Sequence, residues 1–352
     1  MGKLSEKSWD AFELDSMFTF ERGREKNMAS LIQGCIPLVS ARKINNGIKG
    51  FVDNPTKVVK GGNVISLNND GDGGAGLAYY QPANFALDTH VTALYPKKDV
   101  LSDVLIYMTT SISKQHAIFG HGRSISLPRA HRIQVMLPVD DSGKPDYDYM
   151  EQYASEIRRK MLMRYRTYVA SQLSRLEYKD IPELNEKAWN EYSLEKIFSV
   201  ESGKRLTNAY KVDGDRPFIG ATDNNNGVTG FVGNSNSSLD KNVLGVNYNG
   251  APCIAFYHPY ECIFTDDVKR LHLRDHDDNK YVLLFFKTII MQQRKKYGYG
   301  YKFKEKRMLR QKLILPVNAA GEPDYEYMEQ YAKNMMLKKY RQYLEYLKGN
   351  IN

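Results

Sequence analysis

Apolar positions change their period along the chain. Short β-rich runs at Asn63 to Leu67, Val91 to Tyr95, Cys253 to Tyr257 and Val268 to Leu273 are bounded by Gly and Asn turns, which predicts strands. Asp103 to Gln115 and Lys280 to Gln293 read as helices. A longer stripe follows: Met150, Tyr153, Ile157, Met161, Tyr165, Tyr168 and Leu173 recur at mostly three- and four-residue steps, with Arg158, Arg159, Lys160, Arg164 and Arg166 largely between them. Met328, Tyr331, Met335, Tyr340, Tyr343 and Leu347 draw a second stripe. Asp146 and Asp324, each after a proline, are the expected N-caps, and Asp148, Glu151, Glu326 and Glu329 put negative charge at the positive end of each helix dipole. Apolar stripes of this length need partners, and each helix has the other available.

The chain is written twice. LPVDDSGKPDYDYMEQYA at Leu137 to Ala154 returns as LPVNAAGEPDYEYMEQYA at Leu315 to Ala332, identical at 13 of 18 positions. Upstream, Trp9, Leu14, Phe18, Glu21 and Gly23 recur as Trp189, Leu194, Phe198, Glu201 and Gly203, and Pro37, Gly47, Gly50 and Phe51 as Pro217, Gly227, Gly230 and Phe231. Phe119-Gly120-His121-Gly122 is answered by Tyr297-Gly298-Tyr299-Gly300. A repeat of this length is a duplicated domain rather than a solenoid unit of roughly 20 to 50 residues. The expected class is α+β: two duplicated mixed α/β lobes joined by two long helices packed as an antiparallel coiled coil, with a pseudo-twofold axis.

At 352 residues and a net charge of +9, the chain favours a polyanionic partner. Both halves share the excess, with 24 basic and 20 acidic residues up to residue 180 and 26 and 21 after it. Cys35, Cys253 and Cys262 form no CxxC pair and are odd in number, which supports neither a disulfide framework nor a zinc knuckle and suits a reducing, cytoplasmic setting. The apolar run Tyr281 to Phe286 stops at Lys287, too short for a membrane span, so no membrane partner is expected.

Catalytic patterns fail on inspection. Gly71-Asp72-Gly73-Gly74-Ala75-Gly76 lacks a following Gly-Lys-Ser/Thr and a βαβ frame, and is read as a mobile or DNA-facing loop. Phe119-Gly120-His121-Gly122 has the look of an adenine methyltransferase cofactor loop, yet no Asn/Asp-Pro-Pro-aromatic tetrapeptide exists in the chain. Pro145-Asp146 with Glu177-Tyr178-Lys179 imitates a nuclease pattern, but the second half reads Glu345-Tyr346-Leu347, so capping is the better account. Seven scattered histidines show no ligand spacing. No catalytic or metal-binding residue is expected, and no cofactor bound by this chain.

Arg294 to Lys312 carries nine basic residues against one acid, interleaved with aromatics. Such a stretch neutralises phosphates and stacks on bases; a solvated basic loop is the plainer alternative. Lys114 to Arg132 is a weaker counterpart. The turns Arg42-Lys43-Ile44-Asn45-Asn46 and Asp223-Asn224-Asn225-Asn226 carry side chains able to contact guanine and adenine, although tight turns use Asn for backbone reasons as well.

This layout closely resembles the specificity subunit of type I restriction-modification systems, and is similar to the corresponding subunit of BcgI-like enzymes. The resemblance rests on the duplicated LPV…GxPDYxYMEQY block and covers essentially the whole chain. It implies recognition domains at residues 1–140 and 183–317 and spacer helices within 141–182 and 318–352. Each domain would read half of a bipartite double-stranded DNA site, and the helices would set the spacing and dock methyltransferase subunits. S-adenosylmethionine, ATP and Mg would belong to the methyltransferase and restriction/translocase subunits, leaving this chain non-catalytic.

Base readers do not transfer within such a family, so they are nominated here from the residues alone. Arg42, Lys43, Asn45, Asn46, His121 and Arg123 are expected to contact the first half-site, and Asn224, Asn225, Tyr299, Tyr301, Lys302 and Lys304 the second. Met150, Tyr153, Ile157, Met161, Met328, Tyr331, Met335 and Tyr340 are expected to form the helix pair. A self-sufficient methyltransferase or nuclease and a purely structural scaffold are the rival readings.

Overall fold

The computed structural model describes residues 4–25, 30–59, 61–71, 74–120, 122–298 and 300–349. The chain divides into two compact units, Met1–Tyr165 and Arg166–Asn352. The boundary falls inside the long helix Tyr147–Leu173.

In the first unit a four-stranded antiparallel sheet runs Phe18–Arg22, Val91–Pro96, Val64–Asn68, Ala78–Gln81. Its central strand Val64–Asn68 is buried throughout and Val91–Pro96 over its first four residues, with Ser66, Asn68 and Thr92 the buried polar members. Helix Ser102–Ser113 covers it, and Leu14, Phe18, Ile65, Leu67, Leu94, Leu105, Met108 and Ile112 make the core. A second sheet orders Ile48–Val52, Gln33–Val39, Phe85–Leu87 and Val58–Val59, with Gln33–Val39 and Phe85–Leu87 parallel. Trp9–Glu13 pairs with Gln134–Pro138, so the beginning of the lobe is laced to the strand that leads into the long helix.

The second unit repeats this plan. Its sheet runs Phe198–Ser202, Val268–Leu273, Val243–Asn247, Ala255–His258, covered by helix Lys280–Gln292. A three-stranded sheet orders Val228–Val232, Arg216–Ile219 and Ile263–Phe264, and Trp189–Ser193 pairs with Lys312–Pro316. The duplicated α+β class expected from the sequence is present in both units. Cys253 and Ile254 lie outside the strand expected from Cys253 onward: Cys253 has φ of +62°, which no strand accommodates.

The two long helices start as their caps dictate. Asp146 Oδ1 accepts from the backbone N–H of Tyr149 at 2.9 Å and Asp324 Oδ1 from that of Tyr327 at 3.0 Å. Lys7 and Lys187 pair with these same carboxylates at 2.6 and 2.7 Å. The first helix ends at Leu173, nine residues before the end of the expected spacer segment 141–182. Beyond it Leu176 is buried, and the second helix captures the departing backbone: Gln330 Nε2 donates to the Glu177 carbonyl at 2.9 Å and Asn334 Nδ2 to that of Lys179 at 2.7 Å. Hydrogen bonding to side chains replaces continuation of the helix.

Candidate nucleic-acid interface

In the first unit, Asn45, Asn46 and Gly47 take φ of +55°, +53° and +75°. Asn tolerates this left-handed region better than other residues with a Cβ, which explains the sequence locally. Asn46 Nδ2 donates to the Tyr80 carbonyl at 2.8 Å, tying the turn to the sheet. The Arg42 carbonyl accepts from Asn68 Nδ2 and from the Tyr79 hydroxyl, both at 3.0 Å, while the Arg42 guanidinium donates to the Ile48 carbonyl at 3.2 Å. Lys43, Ile44 and Asn45 are exposed.

The second unit builds the same turn. Asn225, Asn226 and Gly227 have φ of +49°, +53° and +78°, and Asn247 Nδ2 donates to the Thr222 carbonyl at 2.9 Å as Asn68 does to Arg42. The Asn-Asn-Gly triplet is therefore part of the shared frame. Contents differ in the three positions before it, Arg42-Lys43-Ile44 against Thr222-Asp223-Asn224. Asn224 is exposed and donates to its neighbour Asp223 at 2.9 Å.

The aromatic, basic segments form a small hairpin in each unit. Gly120 bridges Arg123, and Gly298 bridges Tyr301. Arg123 is exposed, and Tyr301 is 52% exposed with its ring stacked at 5.6 Å on Tyr297. Lys304 is exposed and precedes the short helix Glu305–Arg310; Lys302 is half-buried. His121 and Tyr299, both nominated from the sequence, lie outside the described residues, as do Asp72 and Gly73 of the glycine-rich loop.

Residues flanking each hairpin reach towards the turn of the same unit. In the first, the Ile125 N–H donates to the Asn69 carbonyl at 2.7 Å and His116 Nδ1 lies 2.5 Å from the Ala75 carbonyl, which joins the hairpin to the loop beside Arg42. In the second, Arg294 Nη2 lies 3.6 Å from Asp223 Oδ2, bringing the basic segment against the turn. Sequence reading had treated turn and basic segment as separate features. Arg129 and Arg307 count in the sequence among the basic residues of these segments and are not nominated individually, although the shared offset of 178 residues pairs them.

The residues nominated for the helix pair divide. Met150 and Met328 are fully buried in the cores of their own lobes, because each helix begins directly against the sheet it follows. Tyr153 meets Tyr107 edge-on at 5.7 Å and Tyr331 meets Phe285 at 5.8 Å, again within their lobes. Ile157, Met161 and Met335 are exposed. Tyr340 meets Tyr168 edge-on at 6.4 Å, with their hydroxyls 3.5 Å apart.

The remaining reactive groups of the second unit are buried or paired. Burial pushes the Cys253 and Cys262 thiols up to about 12 and the His258 imidazole down to about 4. His272 hydrogen-bonds Asp240 and Asp278, which hold it up at about 10. Among the described residues no group of three or more His, Cys, Asp or Glu is arranged to hold a metal ion, and no helix is long and apolar enough to cross a membrane.

Two α+β lobes of one plan, each presenting an exposed Asn-Asn-Gly turn and a small hairpin whose side chains differ between the lobes, define a duplicated protein. The model of the type I restriction modification DNA specificity domain matches residues 6–162 and again 186–345, and the chain belongs to that family. It is 37% identical over 331 residues to the type II restriction enzyme BgcI specificity subunit S.BcgI of Heyndrickxia coagulans, covering 93% of this chain and 94% of that protein. Among solved structures it is similar to the type I restriction-modification S subunit from M. genitalium, with 16% identity, 99% of this chain and 94% of that one covered, and a TM-score of 0.49. It is also similar to the HsdS subunit from Thermoanaerobacter tengcongensis, at 12% identity, 97% and 90% coverage and a TM-score of 0.34. The chain is a specificity subunit of a restriction-modification system, and its function is recognition of DNA sequence.

Proposed function

We propose that residues 1–140 and 183–317 each read one half of a bipartite double-stranded DNA site, while residues 141–182 and 318–352 set the spacing and dock methyltransferase subunits. The carrying observation is a common frame with exchanged contents. Both turns have the same left-handed Asn-Asn-Gly backbone, yet Lys43-Ile44 is exposed in one where Asp223-Asn224 is in the other, each pair following a half-buried residue, Arg42 or Thr222. A frame with different polar contents suits two half-sites of different sequence, because base edges are distinguished by donor and acceptor pattern.

Helices of 27 and 25 residues run about 40 and 37 Å at roughly 1.5 Å per residue, close to one turn of B-DNA at about 34 to 36 Å. In this reading Arg42, Lys43, Asn45, Asn46 and Arg123 serve the first half-site, and Asn224, Asn225, Tyr301, Lys302 and Lys304 the second. Adenine methylation with S-adenosylmethionine belongs to methyltransferase subunits, and ATP- and Mg-dependent cleavage to a restriction/translocase subunit. This chain supplies the address and no chemistry.

The test is to co-express the chain with a candidate methyltransferase subunit from the same genome and map methylated adenines by single-molecule sequencing. A two-part motif with one fixed gap, whose halves change separately when residues 1–140 or 183–317 are exchanged, is the expected result. Methylation that is unchanged when this chain is omitted would overturn the reading in favour of a scaffold.

A further inference from the structure

The two hairpins are held by the same device. Arg307, on the short helix Glu305–Arg310, donates from Nη1 to the Lys302 carbonyl at 2.9 Å. In the first unit Arg129, on Leu127–His131, donates from Nη1 to the Ser124 carbonyl. The offset between the arginines is 178 residues, and the offset between the carbonyls is the same. Each hairpin thus has a guanidinium from the following helix fastened to the backbone one residue beyond the residue that closes it. The closing residues differ: Arg123, bridged to Gly120, in one unit and Tyr301, bridged to Gly298, in the other.

Lobe 2 adds a further restraint. The Arg307 guanidinium carbon lies 4.0 Å from the centroid of the Tyr301 ring, which also stacks on Tyr297 at an interplanar angle of 8°. Tyr297 is anchored in turn by its hydroxyl, which donates to Gln311 Oε1 at 2.6 Å, and by Phe303, which is fully buried. A tyrosine that is 52% exposed therefore has its ring position set before any ligand arrives.

We propose that Arg129 and Arg307 are positioning residues for base readout: each pre-organises the residue that closes its lobe's hairpin, Arg123 or Tyr301, for contact with the DNA. The proposal rests on the reading of the lobes as half-site readers and names what fixes their selectivity. Exposed loops pay an ordering cost on binding, and a contact distinguishes one base from another only if its donor and acceptor are held in place. Arginine suits the task because its planar group can bond a carbonyl and lie on an aromatic ring together, which an ammonium does not do.

The experiment uses the full chain with its methyltransferase and a library of bipartite sites carrying single-base changes in either half. Variants are Arg307→Lys, Arg307→Ala, Arg129→Ala and, as a charge control on the same helix, Lys306→Ala. Both Arg307 variants should reduce discrimination at the second half-site about tenfold, the size of one base contact, and leave the first unchanged. Arg129→Ala should do the mirror image, and Lys306→Ala should weaken all sites alike. Arg307→Lys keeps the charge and the fold of the helix, so wild-type discrimination in that variant would overturn the clamp, as would equal weakening of every site by Arg307→Ala. Loss of the two-part motif from the unaltered protein would instead sink the half-site reading itself.

Discussion

Gly76 and Cys253 occupy the same left-handed backbone position in the two lobes. Their φ angles are +82° and +62°, and their N–H groups donate to Asn68 and Asn247 carbonyls at 2.9 and 3.0 Å. A Cβ on Gly76 would sit 2.7 Å from Phe119 Cδ2 and 3.0 Å from the His116 backbone, whereas Cys253 is accommodated and buried. Gly76→Cys should therefore destabilise lobe 1 by about 3 kcal/mol, from left-handed strain together with overpacking. Cys253→Gly relieves strain of about 1 kcal/mol but loses buried surface and adds chain entropy, for a net loss of about 1 kcal/mol. Denaturant melts of the two variants check the order; a larger loss for Cys253→Gly would refute it.

That position also shows how far sequence alone reaches. The repeat, the caps at Asp146 and Asp324 and the covering helices were legible because each has a local physical signature: a period, a carboxylate before a helix, a run of apolar residues. The parallel pairing of Gln33–Val39 with Phe85–Leu87 was not, since strand partners distant in sequence leave no local mark. Nor was the Arg307 contact with Lys302 and Tyr301, because a basic run looks alike whether its members bind phosphate or backbone. Met150 and Met328 were given to the helix pair because helical spacing identifies an apolar face without saying what covers it.

The Asn-Asn-Gly turns separate frame from readout. Asn46 has φ of +53° and ties the turn to Tyr80, so Asn46→Ala should cost lobe 1 about 1 to 2 kcal/mol, from the left-handed conformation and the lost hydrogen bond. Replacing Arg42-Lys43-Ile44 by Thr-Asp-Asn keeps the turn and should leave the melting temperature nearly unchanged while altering the first half-site. Thermal melts and methylation maps of the two variants decide it. A preserved motif in the triple replacement would show that the divergent positions do not read DNA.

His272 makes lobe 2 sensitive to alkaline pH. Its hydrogen bonds to Asp240 and then Asp278 raise it from 6.5 to about 10. A group raised in the folded state adds stability that is fully present below its unfolded value and is lost as pH climbs through the folded one. Stability of lobe 2 should thus decline from about pH 6.5 to about pH 10. His272→Asn should flatten this trend and cost about 2 kcal/mol at the acid end, the scale of hydrogen bonds to a charged group. Calorimetric scans across that range test it, and a wild-type profile indistinguishable from the variant's would refute the assignment. Tyr95 stands at the corresponding place in lobe 1, bonded to Glu21 at 2.8 Å, which leaves lobe 1 only the more exposed His90, raised by its hydrogen bond with Asp70, and so a weaker trend of the same sign.

Lys304 and Lys302 offer the clearest separation of affinity from selectivity. Lys304 is exposed three residues after Tyr301, and Lys302 is half-buried, lending its carbonyl to Arg307 while its ammonium is a charge and no part of that bond. A lysine that neutralises a phosphate releases about one counterion, so its removal lowers the slope of log affinity against log salt by about 0.9. Lys302→Gln and Lys304→Gln should each reduce the slope by about that amount and weaken every site by a common factor, leaving the ranking of sites intact. Neither substitution alters the Lys302 carbonyl, which is why the ranking should survive. Titrations of the complex with cognate and single-mismatch duplexes at several salt concentrations measure both quantities. An unchanged slope in the Lys304 variant would remove that residue from the DNA contact, and a changed ranking would make it a reader of bases instead.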